Sequence, residues 1–253
     1  HRNSPSMVGF AEVLPTAGGR QLVAEMQALD AIMDNPRRPS LFVLGGLKIS
    51  DAFGMMRQVL ENGSADRILT GGVTGIIMWI AQGKSFGKSQ EQFVRDRSLD
   101  VFVEPARVFM EKHGDRFINP VDFAYERSGC RVECSLDELP IGDALYLDIG
   151  SQTIARYKTV INSAGTIFVN GPMGVYENPL FESGTRTIWN AIADSSGYSV
   201  VGGGDSVNAA DSLVVDAENR FDYICTAGGA MVRFLSGVEL PLVKALKRAY
   251  RKV

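Results

Sequence analysis

The sequence predicts an α/β fold: a Rossmann-like three-layer α/β/α domain built on a mainly parallel sheet of about six strands. Short β-type runs alternate with stretches of helical periodicity along most of the 253 residues. Several of these runs end in glycines, as strands do where they turn into a helix at the edge of a parallel sheet. The composition, 45% hydrophobic and 22% charged, is typical of an ordinary globular domain.

The first part of the chain is predicted to hold one helix. Residues 1–15 contain two prolines and no periodicity, which indicates an irregular lead-in. Between Gly19 and Met33, apolar residues recur at spacings of four, three and four, and this pattern predicts an amphipathic helix. Asn35 and Pro36 end the helix, because proline cannot continue a helix and restricts the residue before it.

Strands and helices then alternate to the C-terminus, and residues 114–143 are the least regular part. The predicted strands are 41–45, 67–70, 119–123, 145–150, 166–170, 198–202 and 222–226. The predicted helices are 50–61, 73–82, 90–97, 108–112, 151–162, 184–194, 206–213 and 229–236, with a basic amphipathic helix over 240–253. Right-handed crossovers between parallel strands place the strand-to-helix turns at one edge of the sheet.

Five glycine-rich turns each follow a strand-like run. They are Gly45-Gly46-Leu47-Lys48, Gly71-Gly72, Asn170-Gly171-Pro172-Met173-Gly174, Gly202-Gly203-Gly204-Asp205-Ser206 and Thr226-Ala227-Gly228-Gly229. A strand that ends in glycines and then enters a helix leaves bare backbone N–H groups at the carboxyl edge of a sheet, where α/β proteins bind anions. Five such turns in one chain predict a single rim of phosphate-binding loops.

Three charged residues in or after these turns are candidates for nucleotide binding. Lys48 can bring a compact positive charge to phosphates, although an isolated lysine at a helix start is more often solvated. Asp205, beside three glycines, can hold Mg²⁺ against phosphates or act as a helix N-cap, and the sequence leaves both open. Glu177 can accept the hydroxyls of a ribose or be an exposed loop acid.

Two familiar nucleotide-binding signatures fail. Gly83-Lys84-Ser85 and Gly87-Lys88-Ser89 look like the end of a Walker A loop, but the required earlier glycine is replaced by Met78 or Gln82. A G-x-G-x-x-G pattern that begins at Gly202 would need a glycine where Val207 stands. The sequence therefore argues against a standard Rossmann dinucleotide site.

The remaining features argue against several other classes. The net charge of −3 gives no reason to expect nucleic-acid binding, and the longest apolar stretch is too short to span a membrane. Cys130 and Cys134 lack a second pair of ligands for zinc, and His1 and His113 give little basis for a Ser-His-Asp triad. Three cysteines do not form a disulfide framework, which favours a cytoplasmic protein, and we expect a monomer.

Taken together, the turns resemble those of the phosphoglycerate kinase family. The matching stretches follow the order of the family along nearly the whole chain: 8–10, 42–51, 71–72, 118–122, 147–150, 169–177, 202–206 and 226–230. Asn170-Gly171-Pro172-Met173-Gly174-Val175 and Gly202-Gly203-Gly204-Asp205-Ser206 are highly specific as a pair.

The resemblance implies reversible phosphoryl transfer between 1,3-bisphosphoglycerate with ADP and 3-phosphoglycerate with ATP, in glycolysis and gluconeogenesis. It implies that Lys48 and the loops of Gly202 and Gly228 neutralise the transferring group, that Asp205 holds Mg²⁺, and that Arg2 binds 3-phosphoglycerate. The implied nucleotide-binding residues are Gly45, Gly46, Lys48, Gly71, Gly72, Leu147, Asn170, Pro172, Gly174, Val175, Glu177, Gly202, Gly203, Gly204, Asp205 and Ser206. Among them, Gly71, Gly72, Leu147 and Val175 form the adenine pocket, and Glu177 holds the ribose.

The resemblance covers the C-terminal, nucleotide-binding half of the family and its linker. It divides the chain into the tail of an N-terminal domain and linker (1–18), an interdomain helix (19–35), a nucleotide-binding domain (36–237) and a C-terminal helix (238–253). The N-terminal domain that carries the 3-phosphoglycerate site would be missing, so we expect nucleotide binding with little turnover. A non-catalytic nucleotide-binding or scaffold protein and a dinucleotide-dependent oxidoreductase stay open as alternatives.

Four positions depart from the pattern of the family. Many members carry a second lysine where Ala52 stands and a third glycine where Val73 stands. Ala227 replaces a glycine in the last turn, and Tyr146 replaces a small residue before Leu147. These departures indicate a divergent branch of archaeal type.

Overall fold

The computed structural model describes residues 1–250, and its strands form two separate sheets. In chain order the strands are β1 (Ser40–Leu44), β2 (Arg67–Thr70), β3 (Phe117–Ile118), β4 (Asp122–Arg127), β5 (Cys130–Ser135), β6 (Tyr146–Ile149), β7 (Thr166–Asn170), β8 (Tyr198–Val201) and β9 (Tyr223–Ile224). Six of them form a parallel sheet in the order β3-β2-β1-β7-β8-β9. The predicted α/β fold with a mainly parallel sheet of about six strands is therefore confirmed.

Helices connect and cover these strands. They are α1 (Phe10–Val13), α2 (Arg20–Met33), α3 (Ile49–Glu61), α4 (Gly72–Ala81), α5 (Lys88–Asp96), α6 (Val103–His113), α7 (Ser151–Asn162), α8 (Ser183–Ala193), α9 (Gly204–Leu213), α10 (Ala217–Arg220), α11 (Gly229–Leu235) and α12 (Pro241–Tyr250). No helix among residues 1–250 is long and apolar enough to cross a membrane.

The parallel sheet is buried on both faces, as its continuous apolar strands require. In β1, Phe42 and Leu44 pack into a core with residues of α2, α3, α4, α6 and α11. Leu41 and Val43 point to the other face and pack against α7, α8 and α9. The alternation follows from the two-residue period of a strand, and it produces the three-layer arrangement.

The second sheet is antiparallel, has the order β5-β4-β6, and was not predicted. Arg127 pairs with Cys130, so β4 and β5 are joined by the two-residue loop Ser128-Gly129. Both loop residues have positive φ angles, 52° and 78°, as a tight hairpin turn of type I′ requires. Ser-Gly was the available hairpin signal in the stretch that looked irregular.

Near this sheet, one predicted strand has the wrong bounds and another pairs with a different sheet. The predicted strand 119–123 covers the gap between β3 and β4, because Pro120 has no N–H to give to a ladder. β6 pairs with β4 instead of with the parallel sheet. Its Tyr146 packs edge-on against Phe86, with ring centroids 5.3 Å apart, in a small aromatic core of this sheet.

Two helix boundaries also differ from the prediction. The short helix predicted at 108–112 is the longer α6, which begins at Val103 and accommodates Pro105 in its first turn, where proline is tolerated. The C-terminal helix predicted over 240–253 is α12, and the last three residues of that prediction lie outside the described residues.

Candidate functional site

Four of the five glycine turns meet at a cleft of about 210 Å³ at the carboxyl edge of the parallel sheet. They follow β1, β7, β8 and β9, so the topology brings together turns that are far apart in sequence. The lining residues from the turns and the helices after them are Gly45, Gly46, Leu47, Lys48, Asp51, Asn170, Gly171, Gly203, Gly204, Asp205, Ser206, Gly228, Gly229 and Val232.

The first and third turns pack backbone against backbone. The N–H of Gly45 donates to the Asn170 carbonyl at 2.9 Å, and the N–H of Gly46 donates to the Pro172 carbonyl at 2.7 Å. A Cβ atom on Gly45 or Gly171 would overlap the carbonyl group of the facing turn, and Gly171 has a φ of +87°. Glycine is therefore needed here for the close approach of the two turns.

The third and fourth turns are joined by side chains. The Asn170 side-chain amide donates to the Gly202 carbonyl at 2.8 Å, and the hydroxyl of Ser206 accepts the N–H of Gly171 at 2.6 Å. Both residues are buried, at 8% and 1% exposure. Gly202 lies behind the cleft, where a Cβ atom would overlap Met231. These predicted site residues thus fix the shape of the cleft.

Three helices begin at the cleft. α3 begins one residue after Lys48, α9 begins at Gly204, and α11 begins at Gly229. The first N–H groups of a helix have no carbonyl partner one turn earlier, and the helix dipole adds partial positive charge there. The cleft therefore favours a ligand with negative charge, such as a phosphate chain.

Lys48 and Asp205 face each other across the cleft. The Lys48 ammonium lies 2.9 Å from the Asp205 carboxylate, and both side chains are more than half exposed, at 65% and 52%. An exposed ion pair of this kind contributes little to stability, so it separates readily. Lys48 can then face a phosphate, and Asp205 can face a cation that accompanies the phosphate.

The residues at the cleft fit a metal ion that arrives with a phosphate ligand. Residues 1–250 contain no group of three or more His, Cys, Asp or Glu that could hold a metal ion by themselves. Mg²⁺ is commonly bound through one or two carboxylates together with substrate phosphates and water. A single carboxylate at Asp205 suits that arrangement.

Comparison with known proteins now adds family membership to this geometry. The family model described as phosphoglycerate kinase matches residues 1–238. The chain belongs to the phosphoglycerate kinase family. The resemblance of the glycine turns to this family is thus confirmed.

Individual relatives and structures of the family agree. The chain is 38% identical over 252 residues to a phosphoglycerate kinase of Methanothermus fervidus, covering 100% of this chain and 60% of that protein. It is 40% identical over 246 residues to one of Methanopyrus kandleri, covering 97% and 60%. The crystal structure of phosphoglycerate kinase from Pyrococcus horikoshii superposes with a TM-score of 0.92 at 35% identity, covering 100% of this chain and 62% of that chain. The chain thus spans about 60% of the length of the relatives that it matches.

The residues assigned by resemblance to the adenine and ribose lie beside the cleft, outside its lining. Gly72 donates its N–H to the Met173 carbonyl at 2.8 Å, and Gly71 packs against the Met173 side chain. The Val175 N–H donates to the Leu147 carbonyl at 2.7 Å. The side chains of Val175 and Glu177 are exposed to solvent. Pro172 and Gly174 belong to the same loop and are half-buried, whereas Gly71 is buried under the Met173 side chain.

The first residue of the chain lies at the fifth glycine turn. A Cβ atom added to Gly229 would lie 3.2 Å from the imidazole of His1. Arg2 is exposed and does not line the cleft.

Sequence analysis missed two contributors to the site. Asp51, in the first turn of α3, lines the cleft as a second carboxylate. Glu25 of α2 is 5% exposed and accepts the Thr226 N–H at 2.7 Å and its hydroxyl at 2.8 Å, so it holds the fifth turn. Glu25 lies three and four residues before Ala28 and Leu29, on the buried face of the helix, and a glutamate at this spacing was the signal that could have found it.

The departures from the pattern of the family lie away from the cleft lining. Ala52 is 1% exposed and packs in the apolar core under α3, so no second lysine faces the cleft from that position. Val73 and Ala227 pack against the same core. Tyr146 is buried in the aromatic core of the antiparallel sheet, and its hydroxyl accepts the Ile141 N–H at 2.9 Å.

Proposed function

We propose that this chain binds Mg-ADP and Mg-ATP as the nucleotide-binding part of a phosphoglycerate kinase. In the complete enzyme, the acyl phosphate of 1,3-bisphosphoglycerate would pass to ADP, giving 3-phosphoglycerate and ATP, and the reaction would run in both directions. The single observation that carries the proposal is the cleft in which turns from four parallel strands, three helix N-termini and Lys48 converge. Membership of the family agrees with it.

Each group at the cleft has a distinct part in this proposal. Lys48 offsets the negative charge that spreads over the transferring phosphoryl group, and the turns of Gly202 and Gly228 add backbone N–H donors. Asp205 holds Mg²⁺ against the nucleotide phosphates. Mg²⁺, when bound, neutralises charge on the phosphates and orients them. Catalysis then consists of positioning and electrostatic stabilisation, since phosphoryl transfer needs no covalent intermediate on the protein.

The base and ribose are proposed to lie on the surface beside the phosphate turns. Gly71, Gly72, Leu147 and Val175 would border the adenine, and Glu177 would accept the ribose hydroxyls. Support comes from the continuity of these positions with the third glycine turn and from the exposure of Val175 and Glu177. The half-buried Tyr176 stands between them, and burial raises the pKa of its hydroxyl, with the carboxylates of Glu177 and Asp205 adding to the effect.

The acid substrate is proposed to bind mainly on a domain outside this chain. Arg2 would contribute to that site, because it matches a substrate-binding arginine of the family and its neighbour His1 lies beside Gly229. Since the chain spans about 60% of its relatives, we expect the 253 residues alone to bind nucleotide with little turnover. We also propose a cytoplasmic monomer, supported by three free cysteines.

Calorimetric titration with Mg-ADP, Mg-ATP and NADH tests the proposal. We expect saturable binding of both adenine nucleotides with Mg²⁺ and no tighter binding of NADH. Tighter binding of NADH would favour the dinucleotide-dependent oxidoreductase, and failure to bind any nucleotide would contradict the proposal.

A coupled assay with 3-phosphoglycerate and Mg-ATP tests the division of labour between the chain and the absent domain. We expect little or no turnover from the 253-residue chain and full turnover from a longer protein that includes the remaining 40% of its relatives' length. A normal rate from the chain alone would show that the acid substrate binds within it. No turnover from the longer protein would favour a non-catalytic scaffold.

A further inference from the structure

The loop between β7 and α8, residues 171–182, is attached to the antiparallel sheet as well as to the parallel one. The Val175 N–H donates to the Leu147 carbonyl of β6 at 2.7 Å. The next residue of β6, Asp148, accepts the N–H of Gly184 on its Oδ2 atom at 2.8 Å. β6 therefore fixes this loop near its middle and at the helix that follows it.

Asp148 is the buried centre of this attachment. Its side chain has no exposed surface, and its Oδ2 atom also accepts a hydrogen bond from Arg131 Nη1 at 2.8 Å. A Cβ atom on Gly174 or on Gly184 would overlap its Oδ1 atom. The loop backbone thus closes over the carboxylate from both sides, and the shape of the loop depends on where this carboxylate is held.

Arg131 connects Asp148 to the rest of the antiparallel sheet. Its side chain is 18% exposed, and its Nη2 atom donates to the Ile149 carbonyl at 2.9 Å and to Glu133 at 3.0 Å. Glu133 in turn accepts the N–H and the hydroxyl of Ser151, at 2.9 and 2.6 Å, at the start of α7. A continuous set of charged hydrogen bonds therefore runs from α7 through β5 and β6 to the start of α8.

We propose that Asp148 and Arg131 are positioning residues that hold the loop of residues 171–182 in the shape that receives the base and ribose of the nucleotide. The inference rests on the proposed function and deepens it, because it assigns the base and ribose of the nucleotide and its phosphates to two different supporting parts of the protein. The glycine turns hold the phosphates through backbone groups, whereas this buried ion pair fixes the loop that carries Val175 and Glu177. Removing one partner leaves the other charge buried and uncompensated, so the loop loses its fixed shape.

Burial also affects the protonation of Asp148. It raises the pKa of the Asp148 carboxyl to about 6, although the Gly184 N–H and the Arg131 guanidinium act to lower it. The folded site therefore holds this proton more tightly than solvent does, and the ion pair with Arg131 is complete only above about pH 6.

Adenosine separates the support of the base side from simple electrostatics. It carries no phosphate and contacts only the base side, so its affinity reports on the loop and not on the phosphates.

Three ligands and four variants test the proposal by calorimetry, with thermal unfolding to verify the fold. The ligands are Mg-ADP, adenosine and Mg-pyrophosphate, and the variants are Asp148→Asn, Arg131→Met, Arg131→Lys and the control Asp137→Asn, whose side chain is 97% exposed. Asp148→Asn and Arg131→Met should weaken adenosine and Mg-ADP about tenfold and leave Mg-pyrophosphate unchanged. Arg131→Lys should lose less affinity than Arg131→Met, and Asp137→Asn should leave all three affinities unchanged.

Unchanged adenosine affinity in the folded variants, or an equal loss for pyrophosphate, would overturn the proposal. If Asp148→Asn does not fold, Arg131→Met and Arg131→Lys decide. An unmodified chain that binds Mg-pyrophosphate but not adenosine overturns the inference alone, whereas one that binds none of the ligands overturns the proposed function with it.

Discussion

The parallel sheet and the antiparallel sheet both shape the candidate site, but they do so by different physical means. The parallel sheet ends in glycine turns. The backbone of these turns, the N-termini of the helices that follow them and the side chain of Lys48 surround the cleft. The antiparallel sheet contributes buried side-chain charges, Arg131 and Asp148, that hold a neighbouring loop. The first region should be sensitive to a Cβ atom added where two turns touch, whereas the second should be sensitive to loss of charge.

The largest expected effect is an added methyl group where two glycine turns touch. Gly171→Ala places a Cβ atom into the Gly45 carbonyl at a φ of +87°, so we expect a loss of about 3–4 kcal/mol in the free energy of unfolding. Chemical denaturation measures it. Gly83→Ala is the control, because Gly83 has a φ of +85° but open space around it, and it should lose only about 1 kcal/mol. Equal losses would show that backbone conformation, not close approach, sets the requirement.

The next effect is the dependence of stability on the charge of Asp148. Its pKa in the folded chain is about 6, above the ordinary value of 3.8, so the folded state holds this proton more tightly than the unfolded chain does. The contribution of this group to stability therefore falls as pH rises from about 4 to 6, by roughly 2–3 kcal/mol in total. The difference in free energy of unfolding between the unmodified chain and Asp148→Asn, measured across this range, should show that slope. A difference that rises with pH would contradict the raised pKa.

A smaller effect is expected at the fifth glycine turn. Glu25→Ala removes the acceptor of two hydrogen bonds from Thr226, and we expect a loss of about 2 kcal/mol. Amide hydrogen exchange should accelerate at Thr226 more than at the strands of the parallel sheet. Gln27→Ala, at an exposed position of the same helix, should leave both quantities unchanged. Unchanged exchange at Thr226 in Glu25→Ala would show that the turn is held by other contacts.

The smallest effect is expected at the hairpin of the antiparallel sheet. Gly129→Ala keeps the open space around the turn but strains its φ of +78°, so we expect a loss of about 1 kcal/mol. The affinity for Mg-ADP should not change, because the added methyl group meets open space and contacts neither Arg131 nor Asp148. A large loss of affinity would show that the whole sheet, beyond its buried charges, shapes the loop.

The parallel sheet was predictable because its signals are local. Each strand is a short apolar run, each turn is marked by glycines next to it in sequence, and parallel topology brings the turns together. The proximity of Lys48 and Asp205, 2.9 Å apart in the structure, follows from the same reasoning. The roles of these residues toward a nucleotide stay predictions.

The antiparallel sheet and the buried contacts were not predictable in the same way. Arg131 and Asp148 meet because β4 lies between their strands in one particular register, and that register is set by the hairpin and by a shift between Ala124 and Tyr125. Glu25 meets a turn that is 201 residues away, and only the packing of α2 on the sheet creates the contact. Pairings of this kind depend on the tertiary structure, and no local pattern encodes them.

The most direct measurement is the affinity of the chain for ADP with and without Mg²⁺, by calorimetry, for the unmodified protein, Lys48→Ala and Asp205→Ala. If the glycine turns form a metal–nucleotide site, Mg²⁺ should strengthen binding to the unmodified chain. Lys48→Ala should weaken it about tenfold, and Asp205→Ala should remove the effect of Mg²⁺. No binding, or the same affinity in all three proteins with and without Mg²⁺, would contradict the assignment of this cleft.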